Sequence, residues 1–184
     1  MELTRAIKTR RSAKRFSNKK PNWRDIIECI DSARYAPMAG NNYSLKFILV
    51  NDEKKIREIA DASEQDFVSR AQFIVVAFST QSRTTNSYGE RGKVYLRQQA
   101  GAAIQNFLLK INEKKLSTCW IGHFNEDKIK HILKIPEEMQ IEALFPIGFE
   151  SSKQKMSRKI DLDRILYFEE YGQKRMRKEN KVNV

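Results

Sequence analysis

A run near the N-terminus, residues 9–16, reads Thr-Arg-Arg-Ser-Ala-Lys-Arg-Phe and so contains four cations and a serine hydroxyl. Arginine can bind two phosphate oxygens at once, serine adds a neutral donor, and lysine supplies a mobile positive charge. The run is therefore a candidate phosphate site. Because the chain is rich in lysine and arginine throughout, a solvated basic face is an equally good interpretation of these residues alone.

The composition predicts one globular domain. The chain has 184 residues, of which 40% are hydrophobic and 32% are charged, and such a chain can build a single core. We expect this domain to cover residues 1–172 and residues 173–184 to form a basic, frayed tail. No apolar stretch approaches the roughly 20 residues that cross a bilayer, which predicts a cytoplasmic protein without a membrane partner.

The net charge and the cysteines bear on whether the protein binds nucleic acid or a metal ion. The net charge of +12 favours acidic partners by long-range attraction, but outside the tail the charge is spread along the chain, so we do not expect nucleic acid as a partner. Cys29 and Cys119 lie in apolar contexts, far apart in the sequence and without metal-ligand spacing. They predict core positions rather than a disulfide, and no metal site is expected.

Hydrophobic periodicity predicts elements in the order α, α, β, α, β, long α, β, α, β. The second helix begins after its cap, Asn22, and ends before Pro37. The order lacks regular alternation, and no glycine-rich turn follows the first strand, so a doubly wound sheet is excluded. We predict an α+β fold with a small mixed, mainly antiparallel sheet flanked by helices. Strands are predicted at residues 47–50, 73–78, 117–121 and 141–147, and further helices at the N-terminus, at 53–62 and at 126–133.

Two central segments carry additional predictions. The polar stretch at residues 79–92 is typical of a mobile surface loop. Residues 94–112 form a helical pattern whose apolar surface is too wide for one core, with small side chains at residues 100–103. This long central helix is therefore predicted to lie both at the domain centre and at a dimer interface.

Four separated segments together resemble one family. They are residues 10–16; residues 36–41; residues 101–109 continuing to 119–122; and residues 147–149 followed by Arg158 and residues 167–169. In this order and spacing they resemble the FMN-dependent nitroreductase family, specifically its short, single-domain NAD(P)H oxidoreductases. The resemblance favours phosphate binding over a solvated face for the N-terminal run.

The resemblance implies how FMN would be held at its two ends. Arg10 and Arg158 would clamp the phosphate, and Lys14 would reach the pyrimidine edge of the ring, where a cation stabilises the negative charge that builds near N1 on reduction. The other phosphate and ribityl contacts that the resemblance implies are Arg11, Ser12, Lys155 and Lys159.

For the ring, the resemblance implies contacts from residues 37–41, in part from the partner subunit, and from residues 120–123. Gly122 would present a backbone N–H to flavin N5, because glycine lets the backbone approach closely. His123 either donates a proton to the reduced substrate or only lines the pocket. The remaining implied ring contacts are Pro37, Met38, Ala39, Asn41, Gln65 and Ile121.

Several residues depart from the family pattern. Residues 43–45 replace a common Gln-Pro-aromatic sequence, and Met38 replaces a small hydroxyl residue. His123 stands where a second glycine is frequent, and Gln98 or Gln99 stands where many relatives have an acidic residue. These changes alter the pocket wall, so the acceptor of relatives cannot be transferred.

The resemblance implies a homodimeric oxidoreductase with shared active sites. NADH or NADPH would reduce FMN by hydride transfer to N5 and leave, and an electron-poor acceptor such as a nitroaromatic or quinone would then enter the same pocket, in a ping-pong cycle. Two alternatives stay open. One is an FMN-binding protein of the same fold with a storage, sensing or flavin-remodelling role, and the other is a colourless, basic nucleic-acid-binding module.

Overall fold

Within the described residues, four antiparallel strands form one sheet in the order β1-β2-β4-β3. The computed structural model describes residues 2–80, 82–152, 156 and 158–176, and the chain divides into two compact units between residues 154 and 155. The sheet belongs to the first unit. Its strands are β1 (Leu45–Val50), β2 (Phe73–Thr80), β3 (Ser117–Thr118) and β4 (Met139–Gly148).

The described residues include five α-helices, and the predicted Asn22 cap of the second helix is present. Asn22 accepts a hydrogen bond from the Arg24 N–H at the start of the second helix, and Asp52 and Asn125 cap two others in the same way. The helices are α1 (Leu3–Thr9), α2 (Trp23–Ala33), α3 (Glu53–Ser63), α4 (Ser82–Glu113) and α5 (Glu126–Leu133), and short 3-10 turns occur at Ala39–Asn41, Asp66–Arg70 and Leu162–Arg164.

The core lies on both faces of the sheet. Successive β2 side chains alternate between the faces: Phe73 and Val75 pack with residues of α2 and α4, whereas Ile74 and Val76 pack with residues of α3 and α5. Seven of the eight β2 residues are buried because helices cover each face. The α+β fold with a mainly antiparallel sheet is confirmed, and the one parallel pairing within the described residues joins the N-terminal run to β3.

The prediction of a mobile loop over residues 79–92 is wrong. The first residues of this stretch complete β2, and helix α4 begins at Ser82, with a break at Gly89 where φ is +53° and ψ is −137°. The chain turns back there, so that a Cβ on Gly92 would lie 2.6 Å from the Thr84 carbonyl oxygen. Thr84 is 1% exposed, so tertiary packing, rather than an apolar stripe, stabilises this polar helical turn.

Gly89→Ala is expected to lower the free energy of unfolding by about 1–3 kcal/mol, because its backbone conformation is accessible to glycine alone. Urea denaturation at constant protein concentration measures the change. Ser87→Ala, at an exposed position of the same helical turn, is the control and should alter stability by less than about 0.5 kcal/mol. Equal stabilities for the Gly89→Ala and Ser87→Ala variants would refute the assigned strain.

Other predictions can be compared with the described residues. Both cysteines are buried free thiols, as predicted. The predicted strand at residues 117–121 is shorter, because regular pairing ends at Thr118 and resumes only at Ile121, which pairs with Leu144. Among the described helices, none has the length and apolar character that a membrane span requires. The predicted basic tail is described only as far as residue 176.

Candidate functional site

The N-terminal cationic run lies along the edge strand β3. Ser12 pairs in parallel with Thr118, and the Ala13 N–H donates to the Thr118 carbonyl oxygen at 2.9 Å. Ala13 is 1% exposed, whereas Ser12 and Lys14 on either side of it are exposed. The extended backbone therefore buries alternate residues and leaves the serine hydroxyl and the lysine ammonium accessible at the sheet edge.

The cations of the run differ in whether a carboxylate pairs with them. Arg11 donates from Nε to Glu150 Oε2 at 3.1 Å and also pairs through Nη2, and this hydrogen bonding raises the pKa of Arg11. The Glu150 side chain is 7% exposed, so the pair joins the run firmly to the end of β4. In contrast, neither Arg10 nor Lys14 forms an ion pair with a carboxylate of the described residues. Those two charges remain available to an anion.

A buried hydroxyl beside the run fits a polar ligand. Thr118 is 5% exposed, and its Oγ1 atom has no hydrogen-bond partner among the described residues, an arrangement that costs about 1–3 kcal/mol. Arg10 and Thr118 both line a groove of about 470 Å³ between α1, the end of α4 and β3. The residues present therefore fit the phosphate end of FMN.

Lys14 connects this end of the site to the region predicted to hold the ring. Its Nζ lies 5.5 Å from the centre of the Phe67 ring, and Phe67 belongs to the 3-10 turn that Gln65 precedes. The same region is tied to the segment after β3 because the Asn125 N–H donates to the Ala62 carbonyl oxygen at 2.7 Å. The fold thus places the Gln65 turn between the cationic run and the segment that contains Gly122.

Ile121 anchors the backbone from which Gly122 projects. Its N–H and C=O both bond to Leu144, each at 3.0 Å, so neither group can serve a cofactor. The following residue is exposed, no described atom lies within 4 Å of a Cβ placed on it, and its N–H has no partner in the part of the chain described here. The predicted Gly122 contact is therefore sterically open, and His123 beside it is also exposed.

The loop at residues 37–41 packs against helix α4 rather than beside the cationic run. Pro37, Met38 and Ala39 line a groove of about 450 Å³ against α4, and the loop leads into β1, at the sheet edge opposite β3. The described lining of this groove includes none of residues 10–14 or 121–123. Within the described residues of one chain, the two predicted halves of the ring site are therefore associated with opposite edges of the sheet.

The predicted C-terminal contacts belong to the second compact unit. Arg158 pairs with Asp161 at 3.3 Å, and its side chain is 86% exposed. Lys159 is also exposed, and Lys155 lies outside the described residues. The phosphate roles of these three residues stay predictions.

Comparison with known proteins identifies the family. The profile of the nitroreductase family matches residues 7–67 and 60–149. The chain belongs to the nitroreductase family.

The relatives of this nitroreductase-family chain are named for more than one activity. A crystal structure of a nitroreductase family protein from Clostridium novyi NT is 31% identical, with a TM-score of 0.75 over 94% of this chain and 96% of that one. An FMN-dependent nitroreductase from Clostridium difficile R20291 is 20% identical, with a TM-score of 0.76 over 90% and 98% of the two chains. An iodotyrosine deiodinase from Thermotoga neapolitana is 24% identical over 158 residues, which are 77% of this chain and 85% of that protein.

Cys119, which follows Thr118 in the chain, is a buried thiol beside the candidate site. Burial raises the pKa of Cys119, although a hydrogen bond from Ser12 and the charges of Lys14 and Arg10 act in the opposite direction. The residue therefore stays a neutral thiol at neutral pH, which argues against a nucleophilic role.

The sequence did not indicate Thr118 as a site residue, and it indicated Gln99 only as a departure from the family pattern. The register that sets Thr118 beside Ser12 is a tertiary feature and leaves no local pattern. Gln99 did carry a signal, because a polar residue stands where the apolar part of α4 begins and where nitroreductases often have an acidic one. It is 4% exposed and accepts a hydrogen bond from the Ala39 N–H.

Proposed function

We propose that this nitroreductase-family protein is an FMN-dependent oxidoreductase that takes hydride from NADH or NADPH and passes it to an electron-poor acceptor of the nitroaromatic or quinone class. The observation that carries the proposal is the edge of β3, where Ser12 pairs with Thr118 between Arg10 and Lys14. Within the described residues neither cation has a carboxylate partner, and the Thr118 hydroxyl has no hydrogen-bond partner. The FMN dependence of the Clostridium difficile relative supports the choice of cofactor.

Each side chain of the edge has a distinct task in this proposal. Arg10 holds the phosphate by charge-assisted hydrogen bonds, and Ser12 adds a neutral donor. Lys14 supplies a fixed positive charge where negative charge develops during reduction. The Gly122 N–H orients the ring edge, and Ile121 keeps that N–H in place through its two bonds to Leu144. Bound FMN would supply the chemistry of accepting hydride at N5 and releasing it to the second substrate.

The proposed assembly is a homodimer with two shared sites. Its first support is the separation of the loop at residues 37–41 from the β3 edge within one chain. Its second support is apolar surface: Leu3, Ile7 and Tyr35 are 66%, 54% and 68% exposed. Leu3 and Tyr35 also line an apolar groove of about 320 Å³ between α1, α2 and α4. Contiguous exposed apolar surface is typical of a protein interface.

The second compact unit also exposes apolar side chains. Ile160, Leu162 and Ile165 are 60%, 67% and 61% exposed. A short segment of this composition gains stability when another surface covers it. We assign that surface to the second subunit, in agreement with the extension of the same segment around the partner that the family resemblance implies.

Spectroscopy of the purified protein tests the proposed activity. The protein should carry a flavin absorption band, which NADH or NADPH bleaches under anaerobic conditions and which a nitroaromatic or quinone then restores. Parallel double-reciprocal plots would report the ping-pong order. A yellow protein that oxidises NAD(P)H slowly with every acceptor would instead support flavin storage or sensing. A colourless protein that flavin does not bind would refute the proposal.

A further inference from the structure

The turn at residues 39–42 has a backbone that its surroundings must hold. Gly40 and Asn41 have φ values of +57° and +55°, so two consecutive residues adopt the left-handed conformation. That conformation costs most L-residues roughly 1–2 kcal/mol, and asparagine is one of the few that adopt it at single positions. The turn is also the part of the loop that carries Asn41, whose side chain is exposed.

One buried amide fastens both ends of this turn. Gln99 Oε1 accepts from the Ala39 N–H at 3.1 Å, and Gln99 Nε2 donates to the Asn42 carbonyl oxygen at 3.4 Å and to Ser44 Oγ at 2.5 Å. The Gln99 side chain reaches the turn from α4, which is fixed in the core. Because the amide is buried and fully engaged, it holds the turn in one geometry.

The Tyr88 side chain lies against the turn at Gly40. A Cβ on Gly40 would lie 2.7 Å from the Tyr88 hydroxyl oxygen, and the Tyr88 ring packs edge-on against Tyr95 at 5.3 Å. The left-handed turn is therefore confined between the buried amide and this ring. Of these contacts, only those of Gln99 are hydrogen bonds to the turn itself.

We propose that Gln99 is a positioning residue for the active site of the other subunit. It sets the conformation of residues 39–42 in one protomer, and that turn presents Asn41 to the cofactor bound at the Arg10 to Lys14 edge of its partner. This inference rests on the shared-site dimer of the proposed function. The requirement is for an amide, because glutamate would keep an acceptor for the Ala39 N–H but would lose the donor to Asn42 and bury a charge.

The first test measures the turn without any flavin. Gln99→Met keeps the side-chain volume and removes the amide, and it should raise amide hydrogen exchange at Ala39 by about tenfold or more in the cofactor-free protein, since a lost hydrogen bond of about 1.4 kcal/mol gives that factor. Gln105→Met, at an exposed position of the same helix, is the matched control. Gln99→Glu should give an intermediate rate. Unchanged exchange in Gln99→Met would overturn the positioning role.

The second test asks whether the amide acts across the dimer. In a heterodimer of one Lys14→Met chain and one Gln99→Met chain, both substitutions affect the same site, because the edge of the first chain receives the turn of the second. The other site stays intact, so the heterodimer should retain about half of the wild-type kcat. A heterodimer of a wild-type chain and a Lys14→Met, Gln99→Met double variant should have one defect in each site and a kcat at least about tenfold lower.

The reverse ranking of the two heterodimers would show action within one chain and overturn the inference. Failure of the proposed function has a different signature, because the wild-type protein would then lack flavin while the exchange experiment still reported on the turn.

Discussion

Replacing Arg10 and Arg158 together by alanine is expected to remove flavin from the purified protein. Arg10 has no carboxylate partner among the described residues and lines the same groove as the Thr118 hydroxyl, which has no hydrogen-bond partner there. Arg158 forms a solvent-exposed pair with Asp161 within its own unit. Two charge-assisted bonds to a phosphate contribute about 1.5–3 kcal/mol each, so the Kd for FMN should rise by at least about a hundredfold.

Flavin fluorescence quenching measures this Kd, and the matched control is Arg15→Ala. Arg15 belongs to the same run and is exposed, and the hydrogen bond from Ser151 uses its backbone oxygen. The control therefore removes one positive charge from the run, as Arg10→Ala does, but leaves the proposed phosphate contacts in place. A double variant that binds FMN as tightly as the control would exclude the proposed clamp.

Substituting Lys14 by methionine is expected to slow flavin reduction while flavin remains bound. The ammonium lies beside Phe67 at the middle of the site, and it is proposed to stabilise the negative charge that develops on the reduced ring. Because Lys14 is exposed in the chain, solvent screening reduces the effect, and we expect a loss of about tenfold to a hundredfold in the rate of reduction.

Stopped-flow absorbance gives this rate, and a spectroelectrochemical titration gives the midpoint potential, which should become more negative. Lys46→Met, an exposed lysine on β1, serves as the control for net charge. Lys14→Arg should restore much of the potential because it restores the cation. An unaltered potential in Lys14→Met would assign Lys14 to binding alone.

The elements were largely predictable because their signals are local. Side chains at residues 73–78 alternate between two covered faces, which makes the whole run apolar and gives β2. Asn22 precedes an apolar stripe, which predicts both the start of α2 and its cap. The stretch at residues 79–92 was mispredicted since its helical turn depends on contacts with the rest of α4, and a window of polar residues does not contain that information.

The sequence predicted which residue types belong to the candidate site, but it predicted only in part which of them pair with one another. Arg10 and Arg11 are adjacent and chemically identical in the sequence. The fold distinguishes them because, among the described residues, Glu150 pairs with Arg11 and not with Arg10, across 139 positions of the chain. Likewise, Gln99 reaches Ala39 across 60 positions. Such pairings depend on strand register and helix packing, so no local pattern records them.

By itself, the sequence predicted the fold class from its periodicity, and its four separated segments carried the resemblance to the family, which favours a phosphate site at the cationic run. Only the tertiary structure decided, within the described residues, which cations lack a carboxylate partner, that the Thr118 hydroxyl lacks a hydrogen-bond partner, and that Gln99 bonds to the loop at residues 37–41 through Ala39. The physical reason is that pairing and burial are properties of residues distant in sequence, whereas helix and strand signals arise between neighbours.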